Sequence, residues 1–151
     1  MPDAQDSHKV DGASKEVVKS DGPRLTTYFD LVGDGFDPNE VTAELGIEPT
    51  KTWRRGESLV PGMRPRSHDV WSLKFGGEAS WDFESQLDQL VRLTQPRSKT
   101  LAGLYGRFGI RAHVTCEVLM EAHAPAICLD AKMVAALADL RAGLEIDVLT
   151  E

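Results

Sequence analysis

The sequence predicts an α+β domain, a mainly antiparallel sheet with helices packed on one face. Several segments alternate apolar and polar residues with period two, the mark of strands buried on one face only. Others repeat apolar residues at helical spacing and carry helix caps. The chain has 151 residues, 41% of them hydrophobic, enough for one domain with a real core and too few for two.

Residues 1–22 contain no aromatic residue and are rich in Asp, Lys, Ser and Gly. Such a stretch has too little apolar surface to offset its ordering entropy, so it is expected to be a flexible tail ahead of a single domain, 23–151. "LTTYFDLV" puts Leu25, Thr27, Phe29 and Leu31 on one face of a first strand. "GDGFDPNEVTAELG" turns into a helix: Asp37 is an N-cap, Pro38 stands at the first helical position, and Gly46 ends it. Phe36, Val41 and Leu45 should face inward. A short strand should follow, then "HDVWSLKF", with Trp71, Leu73 and Phe75 on one side.

"WDFESQLDQLVRLT" spaces Phe83, Leu87, Leu90 and Val91 as a helix stopped by Pro96, and "SKTLAGLYGRFG" repeats the pattern with Leu101, Leu104, Tyr105 and Phe108. "IRAHVTCEVLM" is the clearest strand. "EAHA" should then turn and "PAICLD" return as a hairpin strand, with Cys116 in the core opposite Leu129 and Cys128 on the wet face opposite Glu117. Both cysteines should therefore be free thiols. Asp130 caps a last helix through Met133, Val134, Leu137 and Leu140, closed by Gly143, and "LEIDVL" ends the sheet with Leu144, Ile146 and Val148 inward. The predicted order is β-α-β-β-α-α-β-β-α-β.

The run "VGDGFDPNEVTAELGIEPTKTWRRGE", followed by Trp71 in "DVWSL", resembles an uncharacterised bacterial domain-of-unknown-function family, DUF4279. The positions carrying the likeness are Gly33, Phe36, Asp37, Pro38, Leu45, Gly46, Pro49, Thr50, Gly56, Glu57 and Trp71. The resemblance implies an α+β domain and no established activity. A terminal Tyr common in the family is missing here, where the chain ends "EIDVLTE".

The net charge of −7 disfavours nucleic acid and anionic membrane as partners of the molecule as a whole. No stretch approaches the roughly 18 apolar residues of a membrane helix, and no secretory signal is evident, so the cytoplasm is the expected location. "GDGFDP" is not a dinucleotide fingerprint, because Pro38 stands where a third glycine belongs; nor does its acid spacing suit a calcium loop. No histidine pair has zinc spacing, and no nucleophile elbow exists, so no catalytic residue, metal or cofactor is expected. Tyr28, Asp30, Ser72, Lys74, Arg111, His113, Glu117, Glu145 and Asp147 should share the wet sheet face. There the sequence favours solvated side chains with weak cross-strand ion pairs, the alternative being a groove or a dimer surface.

One segment breaks the acidic pattern. Between Lys51 and His68 five cations face a single acid, Glu57, a charge of +4 that leaves −11 for the rest. Its Gly and Pro content predicts a long loop, and loops of that length are often functional. Trp53, Arg54, Arg55, Arg64, Arg66 and His68 are the candidate binding residues, since Arg and Trp together compose binding hot spots. The expected function is a small interaction module engaging an acidic protein or an anionic small ligand through the loop at 51–68. Its size and acidity would suit an immunity or adaptor protein. The alternative is a small enzyme on a phosphorylated or carboxylated substrate, with Arg54 and Arg55 as anion clamp and His68 as proton donor. The oligomeric state is left open.

Overall fold

The first alternating segment becomes the middle of the sheet. β1 (Arg24–Gly33) pairs antiparallel with β3 (Asp69–Ala79) on one side and with β4 (Arg111–Met120) on the other. The short β2 (Lys51–Trp53) extends the sheet beyond β3, and β5 (Ala142–Thr150) extends it beyond β4, giving the order β2-β3-β1-β4-β5. The structure, a computed structural model, describes residues 22–120 and 122–150. The predicted tail therefore lies outside the described residues except for Gly22, which packs on the Trp81 indole.

The predicted caps Asp37 and Asp130 start their helices, and α2 gains a third acidic cap. Asp37 accepts from the Asn39 amide at 2.9 Å ahead of α1 (Pro38–Leu45), and Gly46 ends that helix at φ 67°. Asp82 caps α2 (Phe83–Thr94) and Asp130 caps α4 (Ala131–Asp139) in the same way. Pro96 lacks the N–H to continue α2, so a single 3-10 turn, Gln95–Arg97, hands the chain to α3 (Ser98–Phe108). Leu25, Phe29, Leu31, Trp71, Val114 and Cys116 from the sheet are sealed beneath Val41, Leu87, Leu90, Leu101 and Leu104 from the helices. Burying each such large side chain stabilises the fold by about 1.5–3 kcal/mol before ordering costs.

A polar contact fixes how α2 sits. The β1–β3 register slips between Arg24 and Thr26, which takes the Leu25 carbonyl out of the ladder. Buried Gln86 replaces the missing partner: its Nε2 donates to the Leu25 carbonyl at 2.9 Å and its Oε1 accepts from Thr27 Oγ1 at 2.8 Å. Gly76, at φ 76°, makes room, since a Cβ there would lie 2.1 Å from the Gln86 amide nitrogen.

Two expectations near the C-terminal end need correction. Residues 122–130 form no strand; β5 takes the place beside β4 and runs parallel to it, so Cys116 pairs with Ile146 rather than Leu129. Pro125 has no N–H for a ladder, and Ile127 and Leu129 instead pack against the core. A parallel neighbour needs a crossover, and α4 supplies it. Glu121 of the supposed hairpin turn lies outside the described residues. Both cysteines are free thiols, Cys116 buried and Cys128 exposed, but Cys128 is on the helical side between α2 and α4. Gly143 does not close α4 either: Arg141 takes the left-handed position at φ 52°, and Gly143 belongs to β5 beside the His113 ring. Val134 is exposed on α4, and Leu144, Ile146 and Val148 are exposed because, among the described residues, no helix covers this edge of the sheet.

Candidate functional site

The face of the sheet away from the helices carries the residues that alternation placed there. Strand pairing arranges them in rows across the sheet. One row runs Lys51, Ser72, Asp30, His113 and Gly143; a second runs Trp53, Val70, Val32 and Arg111. A third runs Lys74, Tyr28, Thr115 and Glu145. Lysines thus gather towards β2 and β3, and carboxylates towards β4 and β5.

The basic loop turns this face into a groove. Its neck is closed by two backbone hydrogen bonds, Gly56 N–H to the Arg66 carbonyl and Arg66 N–H to the Glu57 carbonyl, both 2.9 Å. Asp69 at the start of β3 ties the neck down, accepting from the Arg55 amide at 2.8 Å and the Gly35 amide at 2.6 Å. Almost no solvent reaches Asp69, although it lies under a thin layer of loop rather than deep in the core. Burial alone would raise its carboxyl; the two backbone donors and then the Arg54 charge outweigh that and hold it below the usual value of 3.8. So anchored, the loop brings the Arg66 guanidinium over the Trp53 ring, 4.6 Å from its centroid. A cavity of about 570 Å³ opens between this pair and the sheet, lined by Tyr28, Asp30, Lys51, Ser72, Lys74 and Glu117 among others.

The six loop residues named from sequence do not form one patch. Arg54 is held by acids, its Nε 3.4 Å from Asp69 and its Nη1 3.5 Å from Asp37. His68 Nδ1 lies 2.7 Å from Asp34 Oδ1. Arg55 gives its backbone to Asp69 and leaves its side chain exposed. Arg64 lines a separate hollow of about 300 Å³ at the loop tip, which Arg66 also borders. Only Trp53 and Arg66 of the six reach the groove on the sheet. Tyr28, Asp30, Lys51 and Lys74 complete it; for Tyr28, Asp30 and Lys74 the sequence favours solvated surface over a groove. The available signal was their common face; what it lacked was the loop folding back over it.

Asp30 is the group least at ease in this groove. Burial raises its carboxyl above the usual 3.8, against the lowering pull of a Ser72 hydrogen bond and the His113 charge. Its Oδ1 has no hydrogen-bond partner among the described residues. Burial, then Glu117 and Asp30, likewise raise the Tyr28 phenol above its usual 10.0. Ser72, Asp30 and His113 do not make a hydrolytic triad: Asp30 stands between the other two, which are two strand spacings, roughly 9–10 Å, apart. A second cavity, about 460 Å³ between α2 and α4, holds Cys128, Asp82, Asp88 and Asp130. Three of its four acids are engaged, Asp82 and Asp130 as helix caps and Asp88 with Arg92, so the sheet groove is the better candidate.

Fold and groove together define an α+β domain whose open sheet face is walled by a basic loop. The chain belongs to the family described as "Domain of unknown function (DUF4279)", which it matches over residues 23–151. No curated protein and no solved structure matches it. Among the described residues, no helix is long and apolar enough to cross a membrane.

Proposed function

We propose that the protein is a small cytoplasmic binding module that takes an anionic group, from an acidic protein surface or a small ligand, into the groove between its basic loop and its sheet. The observation that carries this reading is the Arg66 guanidinium stacked on Trp53 at 4.6 Å at the rim of that groove. A stacked guanidinium keeps its in-plane donors free, and those donors match a carboxylate or phosphate in pairs. Lys51 and Lys74 lie below, and none of the three cations has a salt-bridge partner among the described residues. The acidic remainder of the chain repels wrong anions elsewhere and confines capture to this place. An adaptor-like or immunity-like role fits a module of this size.

Replacing Lys51 and Arg66 together by Ala should abolish capture of an acidic partner in a pull-down and leave stability within about 1 kcal/mol, since both are exposed. An equal loss from Arg54→Ala alone would locate binding on the loop base instead. The alternative, an enzyme on a phosphorylated or carboxylated substrate, has one observation in its favour: the protonation-prone Asp30 in the groove. It would use Asp30 as the acid, because His68 and Arg54 are occupied by Asp34, Asp37 and Asp69. Asp30→Asn that leaves partner capture intact and abolishes substrate turnover would favour the enzyme.

A further inference from the structure

The two edges of the sheet are built differently. β2 is three residues long, contains Lys51 and runs into the basic loop, so it offers little to a pairing strand. β5 is nine residues long, has no Pro, Lys or Arg, and keeps unbroken register with β4 from Ala142 to Thr150. Among the described residues no strand pairs with its outer edge, a row of backbone donors and acceptors. Leu144, Ile146 and Val148 are 37%, 44% and 52% exposed on the helix-side face. On the other face Glu145 and Asp147 stand in line, and Asp147 sits directly opposite Glu117 of β4. Opposed like charges cost stability, and among the described residues neither carboxylate forms a salt bridge.

We propose that β5 is a docking edge for an extended, basic segment of a partner protein, which adds as a sixth strand. The incoming strand would alternate apolar residues, covering Leu144, Ile146 and Val148, with Lys or Arg beside Glu145 and Asp147. Main-chain hydrogen bonds give such pairing its strength and the alternating side chains its specificity. A second copy of this chain is the wrong occupant. Antiparallel self-pairing centred on residue 145, 146 or 147 sets Glu145 on Glu145, Glu145 on Asp147, or Asp147 on Asp147 of the neighbour. The inference is independent of the groove, whose preference is for anions.

The test uses the full chain and a synthetic decapeptide alternating Val and Lys, titrated by isothermal calorimetry. Expected is saturable binding about tenfold or more tighter than that of a peptide of the same composition with Val and Lys in separate blocks. N-methylation of alternate peptide amides, which removes donors and keeps charge, should abolish it. Glu145→Lys with Asp147→Lys should reverse the preference towards a Val-Glu decapeptide; if that variant fails to fold by circular dichroism, Glu145→Gln with Asp147→Gln should remove it. Equal binding of the block or N-methylated peptide overturns the proposal. So does a dimer in light scattering that Ile146→Glu dissociates, because the edge is then held by a second copy.

Discussion

Asp30 and Asp69 lie on neighbouring strands and are displaced in opposite directions, which makes them separable by titration. A carboxyl raised above 3.8 holds its proton more tightly in the folded state, so ionising Asp30 subtracts stability as the pH climbs from 3.8 towards its folded value. Asp30→Asn should therefore raise the thermal midpoint at pH 7 and leave it unchanged well below pH 3.8. Asp69 has the other sign. Its depressed carboxyl contributes stability above 3.8 that is lost as the pH falls through its folded value. Asp69→Asn should lower the midpoint at pH 7, with the deficit shrinking in acid. Calorimetry across pH 3 to 7 reads both, and a lower neutral midpoint for Asp30→Asn would remove the desolvated carboxyl from the groove. The thiols give a simpler reading. Burial pushes Cys116 up to about 11 whereas Cys128 is exposed, so iodoacetamide followed by mass spectrometry should find Cys128 modified first. These individual pairings were the least legible part of the sequence. Arg54, Arg55 and His68 look alike as loop cations, and only contacts across 34 residues, His68 to Asp34, or 14 residues, Arg55 to Asp69, tell anchor from free charge.

Elements were read more faithfully than their neighbours. Period-two alternation placed β1, β3 and β4, and helical apolar spacing with the Asp37 and Asp130 caps placed the four helices, because these signals are local and repeat within a few residues. They could not say who pairs with whom. "PAICLD" alternates as a hairpin strand would, yet it serves as a packed connection, and the same apolar spacing serves both uses. "LEIDVL" alternates correctly too, but whether a helix covers its apolar side depends on how far α4 reaches. Gln86 was missed for a related reason: within α2 it looks like a surface residue, and its task follows from a slip in a distant strand pair. Gln86→Ala should leave the Leu25 carbonyl and the Thr27 hydroxyl buried and unpaired. The expected loss is about 2–4 kcal/mol in urea unfolding, one penalty of roughly 1–3 kcal/mol for each group with partial relief by water. A loss under about 0.5 kcal/mol would mean that α2 is held by its apolar face alone.

At the scale of the molecule, charge is sorted across the open sheet face: cations gather at the loop and the β2–β3 side, acids at the β4–β5 edge. Arg111 and His113 at the start of β4 are exceptions on the open face. Deleting residues 1–21 should leave the thermal midpoint essentially unchanged, because that stretch offers little beyond a few valines to bury, and a large drop would show that it docks on the domain. The groove itself is best tested by a nitrogen-15 NMR titration of the full chain with inorganic pyrophosphate at low salt. Trp53, Trp71 and Trp81 each give one indole signal, and only Trp53 borders the groove. The expected result is a saturable shift of the Trp53 indole and of the Lys51, Arg66 and Lys74 amides, lost in Lys51→Ala with Arg66→Ala, while the Trp71 and Trp81 indoles stay in place. Shifts confined to Arg55 and Arg64, or an undiminished response in the double variant, would contradict a binding site between the loop and the sheet.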